Sequence, residues 1–211
     1  MNRTVLGVLV SGRGSNLQAI IDAISADRLA AKIGVVISDN PEAKALKRLL
    51  GLDIPAVCLE PGNYPSRTAF EERLAAELEL HHVELVVLAG FMRVLGPYFI
   101  NRFRGRIMNI HPSLLPSFPG LEAQAQAIRH GVKVSGCTVH FVDESSDNGP
   151  IILQEAVPVY DDDDPETLAD RILHVEHILY PRAISLYCEG RLSIEGRRVK
   201  IRERKDDKHE H

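Results

Sequence analysis

Tryptophan is absent from this chain of 211 residues, and cysteine and methionine occur only three times each. Cys58, Cys137 and Cys188 are scattered, with no C-x-x-C pair. So sparse and odd a set excludes a disulfide framework and points to a reducing compartment, the cytoplasm. No apolar run approaches the roughly 20 residues that cross a bilayer. The apolar run at residues 5–10 is too short for the core of a signal peptide. Positive charge is not in excess: 25 Lys and Arg against 29 Asp and Glu give a net charge of −4, and no basic field invites nucleic acid. Three catalytic signatures are also missing. There is no H-E-x-x-H pair, and no Gly-Lys-Ser/Thr closes a phosphate loop. A dinucleotide fingerprint counted from Gly12 fails at Leu17, where its third glycine would stand.

What is present reads as an α/β enzyme. Residues 5–10, 33–38 and 85–89 are short β-branched runs of the kind buried on both faces of a parallel sheet. Between them lie helical patterns: residues 17–24, residues 42–50, and residues 66–82 with Phe70, Leu74 and Leu78 on one face and Ser66 as N-cap. Short strands are expected at 56–59 and 107–110. The alternation predicts a Rossmann-like domain with a mostly parallel sheet flanked by helices. The C-terminal half changes character. A helix at 121–130 precedes two alternating runs, 135–142 and 151–160, which suit an antiparallel pair. A long helix at 166–189 starts with Asp164 as N-cap and Pro165 in its first position, and the acidic run 161–164 complements the helix dipole. A small hairpin around residues 195–198 follows, and residues 203–211 form a charged tail expected to fray. The whole of 1–211 is expected to be one domain.

Three stretches carry candidate chemistry. Gly12-Arg13-Gly14-Ser15-Asn16 follows the first strand and opens a helix, where free N–H groups can receive a phosphate. A tight turn capped by Ser15 or Asn16 is the plainer alternative. Asn109-Ile110-His111 ends a strand before Pro112, and positions i and i+2 of a strand share a side. An amide donor and an imidazole would therefore aim at one spot, suited to an oxyanion. Asp147 lies in a loop between two strands, beside Asn148-Gly149-Pro150, as either a turn residue or the carboxylate that orients His111. The His174/His177 pair, spaced i and i+3, lacks a third ligand, so no metal is expected. Cys137 should pack as a small apolar side chain.

Taken together, Gly12-Arg13-Gly14-Ser15-Asn16-Leu17, Leu88-Ala89-Gly90-Phe91-Met92-Arg93, Asn109-Ile110-His111-Pro112-Ser113-Leu114-Leu115-Pro116, Asp147-Asn148-Gly149-Pro150 and Glu176-His177-Ile178-Leu179-Tyr180-Pro181 resemble the phosphoribosylglycinamide formyltransferases. These belong to the folate-dependent formyltransferases. The likeness runs from the first strand to about Leu192. It implies transfer of a formyl group from 10-formyltetrahydrofolate to the amine of glycinamide ribonucleotide in purine synthesis. By that resemblance Asn109, His111 and Asp147 are catalytic. Gly14, Ser15 and Asn16 take the ribonucleotide phosphate, and Glu176 holds the glycinamide end. Arg67, Met92, Arg93, Val94, Leu95, Asn109, Val142, Asp143, Glu144 and Asp147 bind the folate, with the 142–147 loop over the pterin. The folate is a consumed co-substrate, no metal or nucleic acid takes part, and a monomer or weak homodimer is expected.

Two departures stand out. Many relatives carry Gly-x-His-x-His where this chain has Gly120-Leu121-Glu122-Ala123-Gln124, and Asn148 replaces a commoner glycine. Asn tolerates positive φ, so the turn at 148 is expected to survive. A sharp turn at Leu115-Pro116 would suit a cis bond. Rival readings remain. A formyltetrahydrofolate hydrolase would use water as acceptor and is expected to carry a regulatory domain. A tRNA formyltransferase would want an added basic domain. A sugar-nucleotide formyltransferase or an inert nucleotide-binding module would share the same frame.

Overall fold

Strand β1 (Thr4–Val10) is apolar at nearly every position, and its surroundings show why. Leu6, Val8 and Val10 enter one layer of the core while Leu9 enters the other. With both faces covered, no polar alternation is needed. The computed structural model, which describes residues 3–144 and 147–203, repeats this division along the sheet. In β2 (Ala31–Ser38), Val36 goes to one side and Val35 and Ile37 to the other. Beyond the short β3 (Ala56–Cys58), β4 (Leu85–Leu88) and β5 (Ile107–His111) are split in the same way. All pairings within the order β3-β2-β1-β4-β5 are parallel.

The first face is covered by α1 (Ser15–Ser25) and α2 (Lys44–Lys47), and the opposite face by α3 (Arg67–Leu80) and α4 (Pro97–Arg102). Two later helices, α5 (Ala123–His130) and α6 (Pro165–Cys188), return to the first face. β6 (Val134–Phe141) runs antiparallel to β5, and β7 (Ile151–Pro158) antiparallel to β6. β8 (Leu192–Glu195) and β9 (Arg198–Ile201) form a hairpin, which joins β7 through the Ile151–Arg198 pair. The described residues thus form a nine-stranded sheet, parallel through its first five strands and antiparallel beyond them except for the parallel β7–β9 pair.

Local signals set several boundaries. Ser66 caps α3 by accepting from the Ala69 amide, and Asp164 caps α6 in a reciprocal box with Thr167. The acidic run is committed to structure: Asp163 binds Arg171 at 2.6 and 2.8 Å, and Asp161 pairs with Lys133. Cys137 is fully buried in the core, where burial pushes its thiol up to about 12. The Leu115–Pro116 peptide is cis. Three expectations are corrected. The helix expected over 42–50 is a single turn at Lys44–Lys47, followed by turns into Gly51 at φ 80°. α5 begins at Ala123, because Glu122 sits in the left-handed region at φ 56° and cannot belong to the helix. α4 was not expected at all; it starts at Pro97 after Gly96 and buries Phe99 and Ile100, but six residues are too few to show a period. Of the tail expected to fray, residues 204–211 lie outside the described residues, as do residues 145 and 146 of the expected folate loop.

One side chain fastens the later half to the earlier. Tyr180 of α6 is fully buried, and its hydroxyl lies 2.9 Å from the carbonyls of both Leu88, the last residue of β4, and Met108, within β5. Burial holds the phenol protonated, so it remains a donor. Tyr180→Phe removes this buried hydrogen bond and is expected to lower unfolding stability by about 1–2 kcal/mol, measured by urea denaturation.

Candidate active site

The strand order reverses beside β1, with β2 and β3 on one side and β4 and β5 on the other. The loops leaving β1 and β4 diverge at that point, and open α/β sheets take their ligands in such a crevice. Here the two loops are tied together. The Ser11 amide donates to the Gly90 carbonyl at 3.1 Å, and the Ser11 hydroxyl accepts from the Met92 amide at 2.9 Å. Gly14 turns the chain into α1 at φ 69°, and a Cβ there would stand 2.5 Å from the Ala45 Cβ. The single-turn α2 therefore backs the glycine turn closely. Gly14 itself is the N-cap. Neither Ser15 nor Asn16 caps the helix with its side chain, contrary to the plainer reading of this turn.

Asn16 has a different partner. Its Nδ2 donates to Glu176 Oε2 at 2.8 Å, across 160 positions of sequence, and both residues are buried. Burial pushes the Glu176 carboxyl above the ordinary carboxylate range, with the Asn16 hydrogen bond and the Arg13 charge pulling it back. Asn16 Oδ1 is buried with no hydrogen-bond partner among the described residues. The residues expected to take phosphate and glycinamide, Gly14, Ser15, Asn16 and Glu176, line one cleft of about 400 Å³.

A second cleft, of about 390 Å³, opens at the end of β5. Asn109, His111 and Asp147 all line it, together with Met92, Arg93, Val94, Leu95, Val142, Asp143 and Glu144 of the expected folate set. Arg67 does not. It lines an adjoining hollow with residues 92–95, bonds Glu71 at 2.8 Å, and donates to the Val94 carbonyl at 2.6 Å. The two main clefts share Gly90, Met92, Ile110, Pro112 and Gln124 as a common wall. The histidine-replacing residues are both at this place: Glu122 lines the second cleft and Gln124 lines both.

His111 is buried, and an acceptor stands beside each of its ring nitrogens. Nε2 lies 2.9 Å from the Phe118 carbonyl, and Nδ1 lies 3.6 Å from Asp147 Oδ2. Asp147 is fixed in turn by the Gly120 amide at 2.8 Å. The left-handed residue of its loop is Asp147, at φ 50°, rather than Asn148.

The residue that sequence reasoning missed is His140. It sits on β6 directly across from Asn109. Its Nδ1 lies 2.9 Å from the Phe141 carbonyl and its Nε2 lies 3.2 Å from Asn109 Nδ2. With Nδ1–H donating to the carbonyl, Nε2 is left as an acceptor, and Asn109 turns its NH2 toward it. Burial lowers the His140 pKa and keeps the ring neutral. The signal was the alternation of residues 135–142, but the cross-strand register that makes the contact cannot be read from one strand. His174 Nδ1 donates to the Asp170 carbonyl at 2.7 Å. Among the described residues there is no group of three or more side chains placed to hold a metal, and no helix is long and apolar enough to cross a membrane.

Comparison with known proteins agrees with this geometry. The model of the formyl transferase family matches residues 5–184. A phosphoribosylglycinamide formyltransferase of Bacillus subtilis is 45% identical over 84% of this chain and 91% of its own length. The trifunctional purine biosynthetic protein adenosine-3 of Drosophila pseudoobscura pseudoobscura is 48% identical over 90% of this chain, which spans only 14% of that protein's length. A crystal structure of glycinamide ribonucleotide transformylase 1 from Symbiobacterium toebii superposes with a TM-score of 0.94 at 54% identity, covering 95% of each chain. An α/β sheet with its clefts at the carboxyl ends of β1, β4 and β5, and a match over most of its length, place this chain in the formyl transferase family.

Proposed function

We propose that this chain transfers the formyl group of 10-formyltetrahydrofolate to the amine of glycinamide ribonucleotide. The observation that carries the reading is the common wall: a glycine-turn cleft with a buried carboxylate adjoins a cleft that holds an amide, an imidazole and its carboxylate partner. The ribonucleotide phosphate goes to the N-terminus of α1 at Gly14, Ser15 and Asn16, where N–H groups and the helix dipole favour an anion. Glu176 receives the glycinamide end. The folate occupies the second cleft along residues 92–95 and 142–144, with Arg67 supporting that wall from behind.

The neutral amine attacks the formyl carbon, and the carbonyl oxygen becomes an oxyanion. Asn109 donates to it with the N–H not given to His140, and His111 donates from Nδ1, whose 3.6 Å separation from Asp147 is longer than a hydrogen bond. The bond from carbon to the folate N10 then breaks, and the attacking nitrogen's proton passes to N10 through water held by Asp147. His140 Nε2 accepts from the Asn109 amide and fixes which way it turns, so the role of Asn109 depends on a neutral His140. Names of relatives support this acceptor, and a net charge of −4 for the whole chain supports a small molecule over nucleic acid. We further read 1–211 as a single domain working in the cytoplasm, in keeping with three free cysteines, and as a monomer or weak homodimer, which sedimentation would measure.

The direct test is formyl transfer from 10-formyltetrahydrofolate, with glycinamide ribonucleotide set against water and amino-sugar nucleotides as acceptors. Turnover with the ribonucleotide is expected to dominate; preference for water would make the chain a hydrolase. His111→Ala and Asp147→Ala are each expected to lower kcat by about 10²–10³-fold, the usual loss when a group stabilising developing charge is removed. Near wild-type turnover in either variant would remove that residue from the mechanism. The third test concerns pH. Because its folded pKa is depressed, His140 contributes nothing unfavourable above the unfolded value near 6.5, and stability is lost as pH falls from there through the folded value. Nitrogen NMR should find the His140 ring neutral, with its proton on Nδ1, at pH 7 and still neutral somewhat below pH 6.5.

A further inference from the structure

Asn148, which stands where a glycine is commoner, has a partner far along the chain. Arg197 lies in the turn of the β8–β9 hairpin, next to Gly196. Its Nη2 donates to the Asn148 carbonyl at 3.0 Å and to Asn148 Oδ1 at 2.8 Å. A glycine at 148 offers only the first of these acceptors. The hairpin is held at the correct distance by the Ile151–Arg198 pairing of β9 with β7, so the guanidinium is delivered from a strand of the same sheet.

The residues on either side show what this grip would control. Asp147, immediately before Asn148, holds a left-handed conformation at φ 50°, which costs energy for any residue with a Cβ. Gly149, immediately after, passes so close to β6 that a Cβ would fall 1.8 Å from the Phe141 carbonyl oxygen. The Phe141 amide then bonds the Pro150 carbonyl at 2.9 Å. The C-terminal side of Asn148 is therefore fixed by the sheet. On its N-terminal side the turn is held by Asp147 itself, through the Gly120 amide and the His111 ion pair. His140 Nε2 also lies 3.9 Å from the Asp147 carboxylate, and among the described residues Arg197 adds a hold on Asn148 itself.

We propose that Arg197 is a positioning residue for the reaction: by gripping the carbonyl and side chain of Asn148 it keeps Asp147 in its left-handed turn, with the carboxylate facing His111. The C-terminal hairpin is then a brace for the catalytic carboxylate. This rests on the formyl-transfer reading only for its kinetic consequence; the brace itself is a property of the fold. Arg197 touches neither cleft, so its loss should spare substrate binding in the glycine-turn cleft.

The test compares the wild-type chain with Arg197→Ala, Arg197→Lys, Asn148→Gly and the Arg197→Ala/Asn148→Gly pair. Arg197→Ala is expected to lower kcat about 3- to 10-fold, the range of one ordinary hydrogen bond, with KM for glycinamide ribonucleotide and Tm close to wild type. Arg197→Lys should recover part of the loss, since an ammonium keeps a donor but not the fork. Asn148→Gly should cost less than Arg197→Ala and add little to it, because both remove the same contact. Amide hydrogen exchange in peptides covering 147–150 should quicken in Arg197→Ala while the core strands stay protected. Wild-type kcat with wild-type exchange in Arg197→Ala would overturn the proposal, as would fully additive losses or a loss of kcat that follows a general fall in Tm. If the wild-type chain transfers no formyl group, the functional reading fails, and the exchange measurement alone decides the brace.

Discussion

The Tyr180 hydroxyl, shared between the carbonyls of Leu88 and Met108, is the contact on which the arrangement of the site depends. It lies in the core, where an unpaired polar group would be costly, so the contact favours one register of α6 against β4 and β5. Four residues earlier on the same helix, and so on the same face, is Glu176. One residue beyond Met108 is Asn109. A single phenol thereby sets the distance between the carboxylate of one cleft and the amide of the other. The hydrogen bond from Asn16 to Glu176 locks the same helix to the glycine turn. Strand ends, helix and turn, drawn from three remote parts of the chain, become one rigid frame.

Within that frame two imidazoles on neighbouring strands share one carboxylate. His111 has the Phe118 carbonyl at Nε2 and Asp147 Oδ2 3.6 Å from Nδ1. His140 has a carbonyl at Nδ1 and the Asn109 amide at Nε2, with Asp147 Oδ1 3.9 Å from that nitrogen, and burial disfavours its charged form. The amide donor at Nε2 needs an acceptor, so a neutral His140 fixes Asn109 while Asp147 spans both rings.

Much of this was legible in the sequence, and the gaps have physical causes. The parallel half announced itself because strands covered on both faces are apolar throughout, and Asp164 with Pro165 marked the start of α6 without ambiguity. Asn109 and His111 could be paired because a strand fixes the direction of positions i and i+2. Asp147 could be named, but only the resemblance placed it with His111, since nothing local joins residues 36 positions apart. His140 and Arg197 escaped for the same reason: each acts through a cross-strand or hairpin contact whose register a single sequence does not state. The capped-turn alternative for α1 fails because the Asn16 amide, which looks like a cap in the sequence, is bonded to Glu176. The helix expected over 42–50 shrank to one turn because propensity there yields to the packing of Ala45 beneath Gly14.

The wall common to the two clefts has a thermodynamic consequence. Gly90, Met92, Ile110, Pro112 and Gln124 belong to both. An occupant of either side that shifts or stiffens this wall changes the free energy of filling the other. Linkage requires the coupling to be reciprocal: the factor by which one ligand alters the affinity of the second is the factor by which the second alters the first. Five shared residues thus make the protein a two-port device, in which order of addition changes the path but not the stability of the ternary complex.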